Sequence, residues 1–102
     1  MTDRELLELA AKAAGQERSI AGDLWSNALG KLWDPLTDDG DALRLAVKLG
    51  MSMILKSHGF KGPTTWIRSF SSEKTEYHGS DPCAATRRCI VKAAAEIGKE
   101  MK

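Results

Sequence analysis

The 102-residue sequence predicts an α+β domain: three helices packed on a small antiparallel sheet of about three to four strands, spanning residues 1–102 as one unit. Three observations predict it. Apolar stripes at helical spacing occur three times, each opened by a capping residue. Two β-rich runs flank the turn sequence Gly59-Phe60-Lys61-Gly62-Pro63. The composition, 42% hydrophobic and 28% charged, is that of a globular chain rather than a disordered one.

The first helix opens at Thr2, a capping residue with Glu5 at capping-box distance. Asp3 and Glu5 complement the positive end of its dipole. Leu6, Leu9, Ala10 and Ala13 repeat at helical spacing, Leu7 and Ala14 widen the stripe, and Gly15 is a natural stop. Between residues 16 and 37 no single period holds. The reading there is one or two short strands, the better one at Gly30–Trp33, with a short helix at Asp23–Leu29 as the alternative. A turn at Trp33-Asp34-Pro35 follows. The second helix runs from the Thr37–Asp41 block to Gly50, with Leu43, Ala46, Val47 and Gly50 as its packing stripe and Leu45 and Leu49 at the edge.

Met51–Ser57 alternates as a strand, with Met51, Met53 and Leu55 on the face expected to be buried. Thr64–Phe70 forms the second strand of a hairpin, with Trp66, Arg68 and Phe70 on one face and Ile67 on the other. Ser71–Ser80 reads as a polar loop. The last helix is capped by Ser80 or Asp81, carries Pro82 in its first turn, and runs to about Lys99. Ala85, Cys89, Ala93 and Ile97 share its apolar face, flanked by Ile90, Ala94 and Met101.

The formal charge of +1 hides an asymmetry. Residues 1–50 hold six basic and nine acidic side chains; residues 51–102 hold nine and five. Such a chain can present an acidic and a basic side, which suits partner steering better than strong nucleic-acid binding. No apolar run approaches the roughly 18 residues of a membrane span. No signal-peptide core follows the acidic start, and two cysteines make no disulfide framework. The expectation is a cytoplasmic domain with no membrane partner.

Few residues invite chemistry. Asp38-Asp39-Gly40-Asp41 reads as a helix cap; an EF-hand loop starting at Asp38 would need Glu at its twelfth position, where Leu49 stands. Cys83, Cys89, His58 and His78 lack zinc-ligand spacing, and a separation of six positions on one helix makes a disulfide between the cysteines implausible. Cys89 reads as a core residue. Cys83, near a helix N-terminus, is the one nucleophile candidate, and a small enzyme using it or the Asp38–Asp41 block is the least favoured reading. No metal, cofactor or catalytic residue is assigned.

Basic residues gather on the hairpin and last helix (Lys56, Lys61, Arg68, Lys74, Arg87, Arg88, Lys92), with Phe60, Trp66, Phe70 and Tyr77 among them. Lys61, Trp66, Arg68, Arg87 and Arg88 are the candidate binding residues. Basic side chains interleaved with aromatics fit a single-stranded nucleic acid. The bland reading is solvated charges around core aromatics, with Trp66 and Phe70 packed under the hairpin.

Three segments together resemble a family of small phage and prophage proteins of the phage ABA-sandwich type: Met1–Gly15, Leu32–Leu49 with its Trp33-Asp34-Pro35-Leu36-Thr37-Asp38-Asp39-Gly40-Asp41 block, and Asp81–Gly98. The resemblance spans roughly the whole chain, least in 16–31. It implies helices layered on a sheet, an α/β/α arrangement, and brings no catalytic residues. With the small size and charge polarity, it implies an accessory protein that binds a host protein in the bacterial cytoplasm. An inhibitor of a bacterial defence system, such as a CRISPR effector complex, is its sharpest form. A nucleic-acid-binding module is the alternative, and an open sheet edge would permit a homodimer.

Overall fold

Thr2 and Glu5 make the reciprocal capping box that the sequence spells: the Thr2 hydroxyl accepts from the Glu5 N–H at 3.1 Å, and the Glu5 carboxylate accepts from the Thr2 N–H. They open α1 (Asp3–Ala14), which Gly15 ends at φ +69. The structure, a computed structural model, describes residues 2–15, 25–26, 31–56, 63–69 and 73–101. In chain order the further elements are β1 (Trp25–Ser26), β2 (Lys31–Leu32), α2 (Asp39–Lys48), β3 (Ser52–Lys56), β4 (Thr64–Arg68), β5 (Glu73–Tyr77) and α3 (Pro82–Glu100). β1 and β2 pair as a minimal antiparallel hairpin, so the helix alternative fails at Trp25–Ser26. β3, β4 and β5 form an antiparallel meander in that order.

α3 is the central element. Asp81 caps it, its carboxylate accepting from the Ala84 N–H at 3.0 Å, and Pro82 occupies the first turn. It touches α1, α2, β4 and β5. Its burial is wider than the Ala85–Ile97 stripe: Val91, Ala95 and Gly98 are buried too, because α1 covers a second side. Met101, expected on the apolar face, is exposed beyond the helix end. α1 runs in the same direction as α3. Asp3 pairs with Arg88, the Leu9 carbonyl lies against Gly98, and the Lys12 ammonium donates to the Met101 carbonyl at 2.8 Å. A Cβ on Gly98 would fall 2.0 Å from the Leu9 carbonyl oxygen, so only glycine permits this approach. The layer order among the described residues is therefore α1, then α3, then the sheet, with α2 beside α3; none of these helices covers the outer face, so the described residues form a helix–helix–sheet stack and not the α/β/α layering expected.

Three expectations need correction. The segment read as a polar loop contains β5. Glu73-Lys74-Thr75-Glu76-Tyr77 has weak strand propensity, and β5 is fixed instead by its ladder with β4 and by two ion pairs to α3, Lys74–Glu96 and Glu76–Lys92. The face of α2 is rotated from the expected one: Asp41, Ala42, Leu45 and Ala46 are buried, whereas Leu43 and Val47 are 54% and 72% exposed. Asp41 explains the rotation. Its carboxylate, 1% exposed, accepts from the Asp34 N–H at 2.9 Å and from the Arg44 guanidinium at 2.8 Å, tying the Trp33–Thr37 turn to the helix. Finally, the inner face of β3 is only partly covered. Met51 and Met53 are half-buried and Leu55 is 61% exposed, because α3 lies against β4 and β5.

Two outcomes follow for stability. Gly98→Ala lowers unfolding free energy by about 1–3 kcal/mol, since backbone must move to admit the methyl group. An unchanged midpoint in chemical denaturation would show that α1 yields freely. Asp41→Ala costs about 1–3 kcal/mol, because it leaves the Asp34 N–H without its acceptor and unties the turn from α2, while the exposed Arg44 returns to water. The same denaturation series measures both.

Candidate functional site

Strand alternation sorts the sheet into two faces. Thr65 and Ile67, both fully buried, point toward α3. Ile54, Trp66, Thr75, Arg68, Glu73 and Tyr77 take the other parity and form the outer face. Cross-strand register places Ile54, Trp66 and Thr75 in one row, and Arg68 opposite Glu73 in the next. Tyr77 sits opposite Thr64, diagonal to Trp66, within reach of an aromatic neighbour. Glu73 organises the face: one carboxylate oxygen accepts from the Trp66 indole N–H at 3.4 Å, and the other lies 3.9 Å from the Arg68 guanidinium. Ile54 and Tyr77 are 44% and 56% exposed, and Trp66 is half-buried. Trp66 is thus not packed under the hairpin; Ile67 takes that place.

The five candidate binding residues are divided. Trp66 and Arg68 meet on the outer face. Arg87 and Arg88 lie on α3, across the sheet, and each is held by an acid from the first half of the chain. Arg87 donates to the Leu36 carbonyl at 2.8 Å and to the Asp39 carboxylate, which raises its pKa and leaves its side chain 17% exposed. Arg88 pairs with Asp3 at 2.9 Å. Lys61 lies outside the described residues, as do Phe60, Phe70 and His58. Sequence reasoning missed β5, and with it the placement of Tyr77; Thr75 and Tyr77 were its only strand-favouring residues.

A second feature is an apolar groove of about 310 Å³ between α2, β3 and the first turns of α3. Leu43, Met53, Leu55 and Ile90 supply most of its wall, and His78, Cys83 and the Asp39–Arg87 pair stand at its rim. A hydroxyl chain runs behind it. Thr86 donates to the Pro82 carbonyl at 2.8 Å, so Thr65 must donate to Thr86 and His78 Nε2 must donate to Thr65, at 2.7 Å. That nitrogen is committed to the fold and is not a base for the Cys83 thiol. Cys89 is wholly buried; its thiol donates toward the Thr65 and Lys74 carbonyls, and burial pushes its pKa up to about 11. The Asp38–Asp41 block acts as cap and turn clamp: Asp38 accepts from the Asp41 N–H at 3.1 Å. Among the described residues, no cluster of His, Cys, Asp or Glu could hold a metal ion, and no helix is long and apolar enough to cross a membrane.

No family model, curated protein or solved structure matches the chain.

The two thiols differ in a measurable way. A thiol reagent at neutral pH titrates Cys83 in the folded protein and both cysteines only after denaturation. The neutral Cys89 thiol stabilises the fold below its ordinary pKa of 9.0, and that contribution is lost as pH rises through about 11. Rapid native labelling of Cys89 would contradict its placement.

Proposed function

We propose that this chain is a protein-binding accessory protein of the small phage type, and that the outer face of its sheet is the surface that meets a host protein. One observation carries the reading: Trp66, Tyr77, Arg68 and Ile54 share one sheet face that no helix covers among the described residues. Tryptophan, tyrosine and arginine dominate binding energy at protein interfaces, and a rigid sheet presents them with little ordering cost. Glu73 lies between Trp66 and Arg68 on this face, within reach of both. The phage-like sequence blocks make the partner a bacterial protein, with a component of a defence system as the sharpest form.

Charge favours this reading over the nucleic-acid alternative. A surface that tracks a phosphate backbone needs an excess of cations. On the outer face Arg68 and Glu73 offset each other and Lys56, at the end of β3, shares their register parity, so the excess is one cation; Arg87 and Arg88 are paired with acids on other elements. The partner that suits this face presents an apolar patch with polar groups around it.

Affinity capture from candidate host lysates, with the native chain and Trp66→Ala side by side, tests the reading. Loss of an interface tryptophan costs about 2 kcal/mol or more, roughly a thirtyfold weakening. A host protein retained by the native chain and lost with Trp66→Ala supports it. Retention indifferent to Trp66 and Tyr77 would sink it, as would salt-sensitive binding of single strands weakened by Arg68→Ala.

A further inference from the structure

We propose that the β3 edge and the apolar groove beside it form a self-association surface, occupied by β3 and α2 of a second copy of this chain. The inference does not rest on the outer-face reading, although Ile54 borders both surfaces. β3 and β5 are the two edges of the sheet, and they are protected unequally. β5 reads Glu-Lys-Thr-Glu-Tyr, the charged composition that discourages further strand pairing. β3 reads Ser-Met-Ile-Leu-Lys, three apolar residues in a row with no acid, and no strand pairs with its free side among the described residues. An apolar edge left in this state is a template for another strand.

The exposed apolar side chains gather at that same edge. Leu55 is 61% exposed on the inner side and Ile54 44% on the outer side. Leu43, which lines the groove with Leu55, is 54% exposed, and Val47, one turn further along α2, is 72% exposed. Leu43, Val47 and Leu55 expose apolar surface on the helix side of the edge, on the order of 300 Å², and Ile54 exposes more on its other side. Two copies, with the strand backbones and flanking residues, reach the roughly 1,000 Å² that a specific interface needs.

A two-fold axis through Ile54 makes the strand self-complementary. Antiparallel pairing about that point sets Ile54 against Ile54 of the second copy and Met53 against its Leu55. Lys56 falls opposite Ser52, so like charges do not face each other in the ladder. The result is a continuous six-stranded sheet with the apolar grooves meeting on the helix side. A small ligand in the groove would leave the β3 backbone edge open. A foreign strand would lack the symmetry that places Met53 against Leu55 twice.

Light scattering and sedimentation velocity on the full chain, across a concentration series, provide the test. The expected mass is twice the 11.1 kDa of one chain at high concentration. Leu55→Asp and Val47→Asp change exposed positions. Each raises the dimer dissociation constant by at least about tenfold, while circular dichroism and the thermal midpoint confirm that the chain stays folded. Ile54→Cys in a Cys83→Ser background forms a disulfide-linked dimer on oxidation. A monomer at every concentration overturns the proposal. So does a dimer untouched by Leu55→Asp and Val47→Asp, or one lost on Trp66→Ala, which would place the contact on the outer face.

Discussion

A nineteen-residue helix that must be covered on three sides sets the terms for the rest of the molecule. Thr86, Cys89 and Lys92 of α3 reach the sheet, Arg88 and Gly98 meet α1, and Arg87 meets the α2 side. A helix used this way cannot carry large side chains all round. Hence Ala93, Ala94, Ala95 and Gly98 crowd its second half, and the Gly98–Leu9 contact brings two backbones together where other helix pairs keep side chains between them. The tightness has a consequence for the sheet. α3 packs chiefly on β4 and β5 and leaves a groove where its first turns face β3, so the groove and the exposed Leu55 arise from the same central placement.

Near-neutral charge takes on a different meaning once the fold is known. Among the described residues, acids of the first half and bases of the second meet directly. Asp39 and Asp3 from the first half hold Arg87 and Arg88 from the second. Each such pair is partly exposed and worth little on its own. Their effect is positional: Arg88 fixes the start of α1 against α3, while Arg87 fixes the turn before α2 through the Leu36 carbonyl. The basic cluster of the last helix is thereby spent on the chain's own acids.

Local chemistry was legible in the sequence, and tertiary choice was not. Capping at Thr2, Asp38 and Asp81 and the stops at Gly15 and Gly50 follow from interactions within a few residues. The α+β class follows too, because three capped stripes and a hairpin allow little else. The α2 face was not legible: the 42/45/46 and 43/46/47 stripes are both apolar, and the choice was made by Asp41, an acid whose partners lie in the preceding turn. β5 was hidden because its charges look like loop residues until Glu96 and Lys92 supply partners on another element. Of the candidate site, Trp66 and Arg68 were found by composition, and Tyr77 was missed with its strand.

Among the described residues the three helices lie on one side of the three-stranded sheet, and none of them covers its far face. Solubility alone would fill that face with Thr, Lys and Glu. Thr64, Thr75 and Glu73 meet that requirement, but Trp66, Tyr77 and Ile54 do not. Ile54 belongs to both uncovered regions: its side chain lies on the outer face and its backbone at the open edge. Pairing two β3 strands would therefore set the Trp66–Tyr77 aromatics of each copy on one broader platform, doubling the binding face without changing either fold. Self-association and partner binding would then be coupled through a single residue, with tighter capture expected from the dimer than from either copy alone.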